Sequence, residues 1–190
     1  MSDANVLRIR TTGLNITRGH RDLSERVFVR FPGLVRALNL LRLRLPIRSR
    51  LRRFLLLRLA AMALAAINRR DFDLLDIAFD PEFEFIAAGD LYPPDMVGRH
   101  HGHAAYRDNW TRLDEAFDGL TFDSQELIDA GDRIISLVQV NARGASSGAP
   151  VNLTIFQVIT FRNGLVIRQE DIQDRAAALK AAGLPEGSEK

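Results

Sequence analysis

The chain has 190 residues, a formal net charge of +2, 46% hydrophobic residues and no cysteine. That length accommodates one domain with an extension, and the apolar share is enough for an ordinary buried core. The lack of cysteine excludes a disulfide framework, thiolate catalysis and cysteine-ligated metal centres. The near-neutral total hides a division: residues 1–70 carry 16 Arg against three acids (Asp3, Asp22 and Glu25), whereas residues 71–190 carry 8 Arg and 2 Lys against 21 acids. Such an asymmetry marks either a basic arm for an anionic partner or two parts that neutralise each other when packed. The N-terminus has no basic patch followed by an apolar run, so no signal peptide is expected and a cytoplasmic setting is.

In chain order, residues 1–21 show no sustained period and read as a poorly ordered arm. Asp22 or Ser24 can cap a short helix running to about Phe31, where Pro32 interrupts it. A second helix is expected from Leu34 to about Leu45, with a stripe of Leu34, Val35, Leu38, Leu41 and Leu45, and Pro46 stops it. Ser49 looks like the N-cap of a long helix over 50–69. Its segment from Phe54 to Ile67 is apolar almost all round, which implies burial on several sides. Arg52, Arg53, Arg58, Arg69 and Arg70 break or bound that run too early for a membrane span. Arginine on one face and leucine on another also suits a helix lying on a bilayer surface.

Residues 71–79 read as a short helix with Leu74, Leu75 and Phe79 inward. Asp80-Pro81 turns the chain into a strand from Glu82 to about Ala87, and a loop is expected from Gly89 through Gly102. His103–Phe117 reads as a helix, with Tyr106, Trp110, Leu113 and Phe117 spaced at three and four. Four strands follow: Phe122–Ile128, Arg133–Asn141, Val151–Phe161 and Leu165–Ile172. The Asn163-Gly164 pair between the last two is the strongest hairpin signal in the chain. Asp174 to Leu184 closes with a short helix or turn. The order predicts an α+β fold, divided into a basic, partly helical extension (1–48), a main domain (49–184) and a polar tail (185–190).

Several blocks carry a family resemblance. Ala65 through Asp73 resembles the ending of the first helix in the SnoaL-like family of the nuclear transport factor 2 and ketosteroid isomerase superfamily. Phe79 through Phe85 is similar to that family's strand entry, Gly98 through Tyr106 to the entry of its third helix, Thr160 through Val166 to its last hairpin, and Ala177 through Leu184 to its ending. The resemblance spans about 135 residues, judged on the order of the blocks. It implies a cone-like α+β domain, with a strongly curved antiparallel or mixed sheet wrapped by about three N-terminal helices, and a small-molecule pocket. The fold hosts isomerases, hydrolases, cyclases and proteins without catalysis, so fold alone does not name the chemistry.

Aligned by hand on these blocks, the tyrosine, base and protonated aspartate of ketosteroid isomerases fall at Ala63, near Ala87 and at Gln157. Alanine moves no proton, so steroid isomerisation is not expected. In SnoaL-type cyclases an acid/base aspartate lies near the end of the last strand, and Asp171 occupies that slot. Period-2 alternation places Gln169 and Asp171 on one face and Gln157 on a face of the preceding strand. Burial there would raise the pKa of Asp171 toward the range useful for general base work. The competing reading is that Asp171 caps the terminal turn or pairs with Arg168 or Arg175.

The stretch Arg99-His100-His101-Gly102-His103 lacks the i, i+4 spacing of a helical metal site, so no metal is expected and no cofactor either. His103 is read as a pocket hydrogen-bonder or a solvent-facing helix start. Tyr92, Tyr106 and Trp110 suit a pocket with one wet side, and Trp110 equally suits ordinary core. Two function classes follow. One is a small-molecule-pocket protein with cofactor-independent acid/base chemistry through Asp171 on an apolar or carbonyl-bearing metabolite. The other is a non-catalytic binding or scaffold module whose basic N-terminal helices contact a protein partner or, peripherally, a membrane. The resemblance implies a homodimer through the outer sheet face. Sequence-specific nucleic acid is not expected, because no reading motif accompanies the arginines.

Overall fold

The computed structural model describes residues 6–11, 19–88 and 92–185. Most of the expected N-terminal arm, the start of the loop at Gly89 and nearly all of the polar tail lie outside the described residues.

Asp22 opens helix α1 (Leu23–Arg30) with a capping box: its carboxylate accepts from Glu25 N, and the Glu25 carboxylate accepts from Asp22 N. Two orphan amides of the first turn are thereby satisfied. Pro32 precedes α2 (Gly33–Arg44), and Ser49 caps α3 (Arg50–Arg69) by accepting from Arg52 N. Helix α3 stops at Arg70, a non-glycine in the left-handed region (φ 59°). The Arg70 guanidinium holds that turn, donating to Ile67 O at 2.7 Å, pairing with Asp114 and standing 4.6 Å from the Trp110 ring centroid. Further along lie α4 (Phe72–Asp76), α5 (Gly102–Ala116) and α6 (Arg175–Ala181).

The seven strands are β1 (Leu7–Arg10), β2 (Phe79–Ala87), β3 (Gly98–His101), β4 (Phe117–Asp129), β5 (Arg133–Gly144), β6 (Pro150–Arg162) and β7 (Leu165–Ile172). They form one mixed sheet in the order β1-β4-β5-β6-β7-β2-β3. Every pair is antiparallel except β2 with β7. Helix α3 packs on β4, and α5 packs on β2, β3 and β4. Their shared core is strongly aromatic: Tyr106 meets Phe79, Phe83 and Phe85 edge-on, and Trp110 meets Phe122 in the same way. Such contacts suit the ring quadrupoles. The Asn68 amide ties α3 to the sheet by donating to Phe122 O and accepting from Phe122 N, both at 2.9 Å.

Three expectations are corrected. Part of the expected arm is strand β1, which pairs with β4 from Leu7↔Asp129 to Arg10↔Glu126. Ile9 is its anchor, buried among Leu56, Leu127 and Ile134, a burial that stabilises by about 1.5–3 kcal/mol. Four residues are too few to display a period, which hides the strand in the sequence. Part of the expected loop is strand β3, aligned with β2 through Phe85↔His100. The third correction concerns α2. Leu34 and Leu41 of the expected stripe are exposed, and the buried side is Val35, Asn39 and Arg42.

The register of α2 follows from the hairpin between β6 and β7. Asn163 (φ 54°) and Gly164 (φ 79°) both lie in the left-handed region, as a two-residue type I′ turn requires. A Cβ on Gly164 would stand 2.6 Å from Arg36 O and 2.9 Å from Leu40 Cγ. Only glycine lets α2 come this close, and Arg36 Nε seals the contact by donating to Asn163 O at 3.0 Å. With Arg36 and Leu40 on the hairpin, Asn39 and Arg42 turn toward the domain interior. No helix of the described residues is long and apolar enough to cross a membrane.

Candidate functional site: a cavity beside a buried carboxylate

A cavity of about 110 Å³ lies between the N-terminal helices and the sheet. Helices α2 and α3 provide one wall, with Val35, Leu59 and Ala63 among its apolar groups. Strands β4 to β7 provide the other, with Leu127, Ile134 and Ile159. Six polar side chains interrupt this lining: Asn39, Arg42, Ser124, Ser136, Gln157 and Gln169. Engineered apolar cavities of roughly 150 Å³ take benzene, which sets the scale of a ligand here.

Behind the two glutamines lies Asp171, 1% exposed. Gln157 is its cross-strand neighbour on β6. Asp171 Oδ1 accepts from Gln169 Nε2 at 3.0 Å and from Gln157 Nε2 at 3.3 Å, and Oδ2 accepts from Tyr92 OH at 2.5 Å. All three donors are neutral. Burial dominates and pushes the carboxyl up from 3.8 to about 6, and the three hydrogen bonds hold it partly back. Burial, then the nearby Asp171 charge, pushes the Tyr92 phenol well above its ordinary value, so it remains a donor. The competing sequence reading, a pairing of Asp171 with Arg168 or Arg175, does not match this geometry. Arg168 pairs with Glu84 and Glu170, and Arg175 with Glu126. The cap of α6 is Asp174, which accepts from Ala177 N.

Of the residues singled out in the sequence, the fold thus gathers Asp171, Gln157, Gln169 and Tyr92 into one hydrogen-bonded cluster. His103, Tyr106 and Trp110 stand elsewhere and do not line the cavity. The His103 ring lies 3.1 Å (Nε2) from Asp80 O and 3.5 Å (Nδ1) from an Asp76 oxygen at the start of α5. Tyr106 and Trp110 belong to the aromatic core. The histidines before α5 diverge: His100 Nε2 contacts Met96 O at 2.8 Å, and His101 is mostly exposed. Of the three positions aligned with the steroid isomerase residues, Ala63 and Gln157 line the cavity, and Ala87 is buried in β2.

A charged cluster at the cavity wall went unread in the sequence. Arg52 clamps Asp129 through Nε and Nη2, both at 2.7 Å, and its Nη1 donates to the carbonyls of Arg42 (3.1 Å) and Leu45 (2.9 Å). Arg42 Nη1 stands 3.8 Å from Asp129 Oδ1. Burial, with Arg52 adding to it against the pull of Asp129, lowers the Arg42 pKa to about 10. In the sequence Arg52 only breaks or bounds an apolar run, and Asp129 merely follows an expected strand. Residues 77 apart carry no local signal of a pairing.

The family model described as a SnoaL-like domain matches residues 60–169, more than half of the chain. No curated protein matches the chain. Among solved structures, TerC co-crystallized with polyporic acid superposes with a TM-score of 0.55 at 21% identity, covering 65% of this chain and 95% of its own. An NTF2-like protein from Burkholderia thailandensis gives 0.55 at 24% identity, over 66% and 95% of the two chains. A protein with a ketosteroid isomerase-like fold from Catenulispora acidiphila, in complex with trimethylamine, gives 0.51 at 13% identity, over 67% and 93%. These likenesses establish the fold, and the family match over 60–169 shows that the chain belongs to the SnoaL-like family.

Proposed function

We propose that the chain binds a small, largely apolar molecule in the cavity and that Asp171 serves as a general acid/base toward it, without a cofactor. The carrying observation is a buried carboxylate with three neutral donors, pushed up to about 6, directly behind two glutamines of the cavity wall. Such a group is mostly ionised at neutral pH yet holds a proton well enough to return it. The longest of its three bonds, from Gln157 at 3.3 Å, is the one whose release would open Oδ1 to a ligand. Proton abstraction α to a carbonyl breaks the C–H bond, places the proton on Asp171 and leaves an enolate. Where the enolate is conjugated with a C=C bond, return of the proton from Asp171 to the far carbon gives an isomer; where its carbon attacks a second carbonyl, the proton from Asp171 passes to the resulting alkoxide and a ring is closed. The small organic molecules in two structural neighbours, polyporic acid and trimethylamine, support a ligand-holding role for this fold.

The test uses a panel of small ketones and esters in deuterium oxide, with α-proton exchange followed by NMR. Wild-type protein is expected to accelerate exchange for at least one compound, and Asp171→Asn to slow it by about 100-fold or more. Exchange unchanged in the variant would remove the catalytic role.

A second reading, a non-catalytic module, rests on a different observation. Leu23, Val27, Phe31, Leu41, Leu51 and Phe54 are exposed on α1, α2 and the start of α3, among exposed Arg26, Arg30, Arg48, Arg50 and Arg53. That mixture suits an anionic membrane surface. Sedimentation with anionic and neutral vesicles separates the readings: salt-sensitive binding to anionic vesicles supports the surface role, and none removes it. A homodimer through the outer sheet face and a cytoplasmic setting complete the proposal, the former checked by sedimentation velocity.

A further inference from the structure

Arg42, Arg52 and Asp129 are buried together, with side-chain exposures of 1%, 3% and 0%. Two cations face one anion, and the anion is taken: Arg52 holds both oxygens of Asp129 at 2.7 Å. Arg42 keeps only a 3.8 Å approach to Asp129 and a long bond, 3.4 Å, from its Nε to Asn39 Oδ1. Its Nη1 and Nη2 are buried, and among the described residues neither has a hydrogen-bond partner. The guanidinium stands 4.6 Å from the Phe161 ring centroid, and Arg42, Asn39 and Phe161 all line the cavity. A buried guanidinium with two nitrogens that make no hydrogen bond among the described residues, beside an apolar cavity, has donors suited to an anion, because buried charge is tolerated when paired and hydrogen-bonded.

We propose that the cavity takes a small organic acid, its carboxylate received side-on by Nη1 and Nη2 of Arg42 and its apolar body lying against Leu127, Ile134 and Ile159. This rests on the cavity being a small-molecule site and adds the charge of its occupant. The planar fork of arginine matches the two oxygens of a carboxylate. The buried cluster of Arg42, Arg52 and Asp129 carries one excess positive charge, so a monoanion neutralises it and a dianion such as a phosphate monoester would leave that cluster negative. Volume limits the body to about one six-membered ring. Gln157 lies four residues from Phe161 along β6, roughly 13 Å at the rise of a strand. An acid anchored at Arg42 therefore extends from there toward the glutamines in front of Asp171. Arg42 and Asn39 lie on α2, outside the residues matched by the family, so the N-terminal extension would set ligand charge.

The experiment titrates the full chain with benzoate, its neutral counterpart benzamide, and inorganic phosphate, at a pH above the second ionisation of phosphate so that it is a dianion, by calorimetry and thermal shift, for wild type and Arg42→Met. Wild type is expected to bind benzoate at least 10-fold more tightly than benzamide, with phosphate not competing. Arg42→Met is expected to lose that preference, through a fall of at least 10-fold in benzoate affinity. Equal binding of benzoate and benzamide by wild type would leave the cavity intact and overturn the charge anchor, as would an Arg42→Met variant that binds benzoate as wild type does. Competition by phosphate overturns the monoanion argument. If no probe binds wild type, the small-molecule reading of the cavity fails and takes this inference with it. Should the methionine variant not fold, Arg42→Lys keeps the charge without the fork. Its benzoate affinity is expected to fall severalfold while the preference over benzamide persists, and unchanged affinity would overturn the side-on geometry.

Discussion

Asp129 and Asp171 are both sealed from solvent, at 0% and 1% exposure, and sit on strands of the same sheet. Asp129 lies between two arginines, with one of them bonded to both its oxygens. Among the described residues Asp171 has no cation for a partner and is held by a phenol and two amides. Burial alone therefore does not make a reactive carboxylate. The companion decides: a guanidinium clamps both oxygens of Asp129 in a fixed pair, and around Asp171 neutral donors leave burial the dominant influence, so that its proton returns near pH 6. Of the two, Asp129 is suited to holding the N-terminal extension against the domain, and Asp171 to moving a proton.

The largest expected effect comes from breaking the pinned carboxylate. Arg52→Met leaves Asp129 with only the 3.8 Å approach of Arg42 and frees the carbonyls of Arg42, Leu45 and Gly131. A loss of about 3–5 kcal/mol is expected in urea unfolding, and a loss below about 1 kcal/mol would show that the pair holds nothing together.

Asp171→Asn addresses the other carboxylate. Its pKa in the fold, about 6, lies above the ordinary 3.8, so the native state keeps a proton that the unfolded chain has released. The contribution is fully present below about pH 4 and is lost as pH rises through 6, an amplitude of roughly 3 kcal/mol. Unfolding measured from pH 4 to 8 should show that decline in wild type and a flatter profile in the variant. Equal slopes would place the titration elsewhere.

A smaller change is expected from Tyr92→Phe, which removes one of the bonds that hold the Asp171 pKa back. Stability at pH 7 should fall by about 1.5–3 kcal/mol, and the Asp171 transition should move to higher pH. A downward move would contradict the geometry. Smallest of all is Arg42→Met: removing the unsatisfied cation while keeping an apolar side chain against Phe161 should leave stability within about 1 kcal/mol of wild type or raise it. A large loss would mean that Arg42 is as firmly paired as Arg52.

Much of the Asp171 site was legible because it lies on regular strands. The Asn163-Gly164 turn sets the register of β6 and β7, and period 2 then places Gln157, Gln169 and Asp171 together. Tyr92 could be named as an amphipathic aromatic near a pocket. Its bond to Asp171 spans 79 residues and depends on how the chain returns after β2. The Arg42 site was illegible for a stronger reason. The leucines of α2 suggest that the Leu34–Leu41 side faces inward, yet Leu34 and Leu41 face solvent and an arginine is buried. The contact of α2 with Gly164 overrides the hydrophobic stripe.

By itself the sequence determined the α+β class, the extents of the N-terminal helices through Ser49 and the prolines, the last hairpin, and the aspartate of the final strand. These follow from capping, backbone geometry and alternation, which act between near neighbours. Tertiary structure alone decided that β1 closes the sheet edge, that Asp129 is pinned by Arg52, and that Arg42 is left facing a cavity. Each of these depends on which distant groups meet once water is excluded, and burial then sets the strength of every charge that remains.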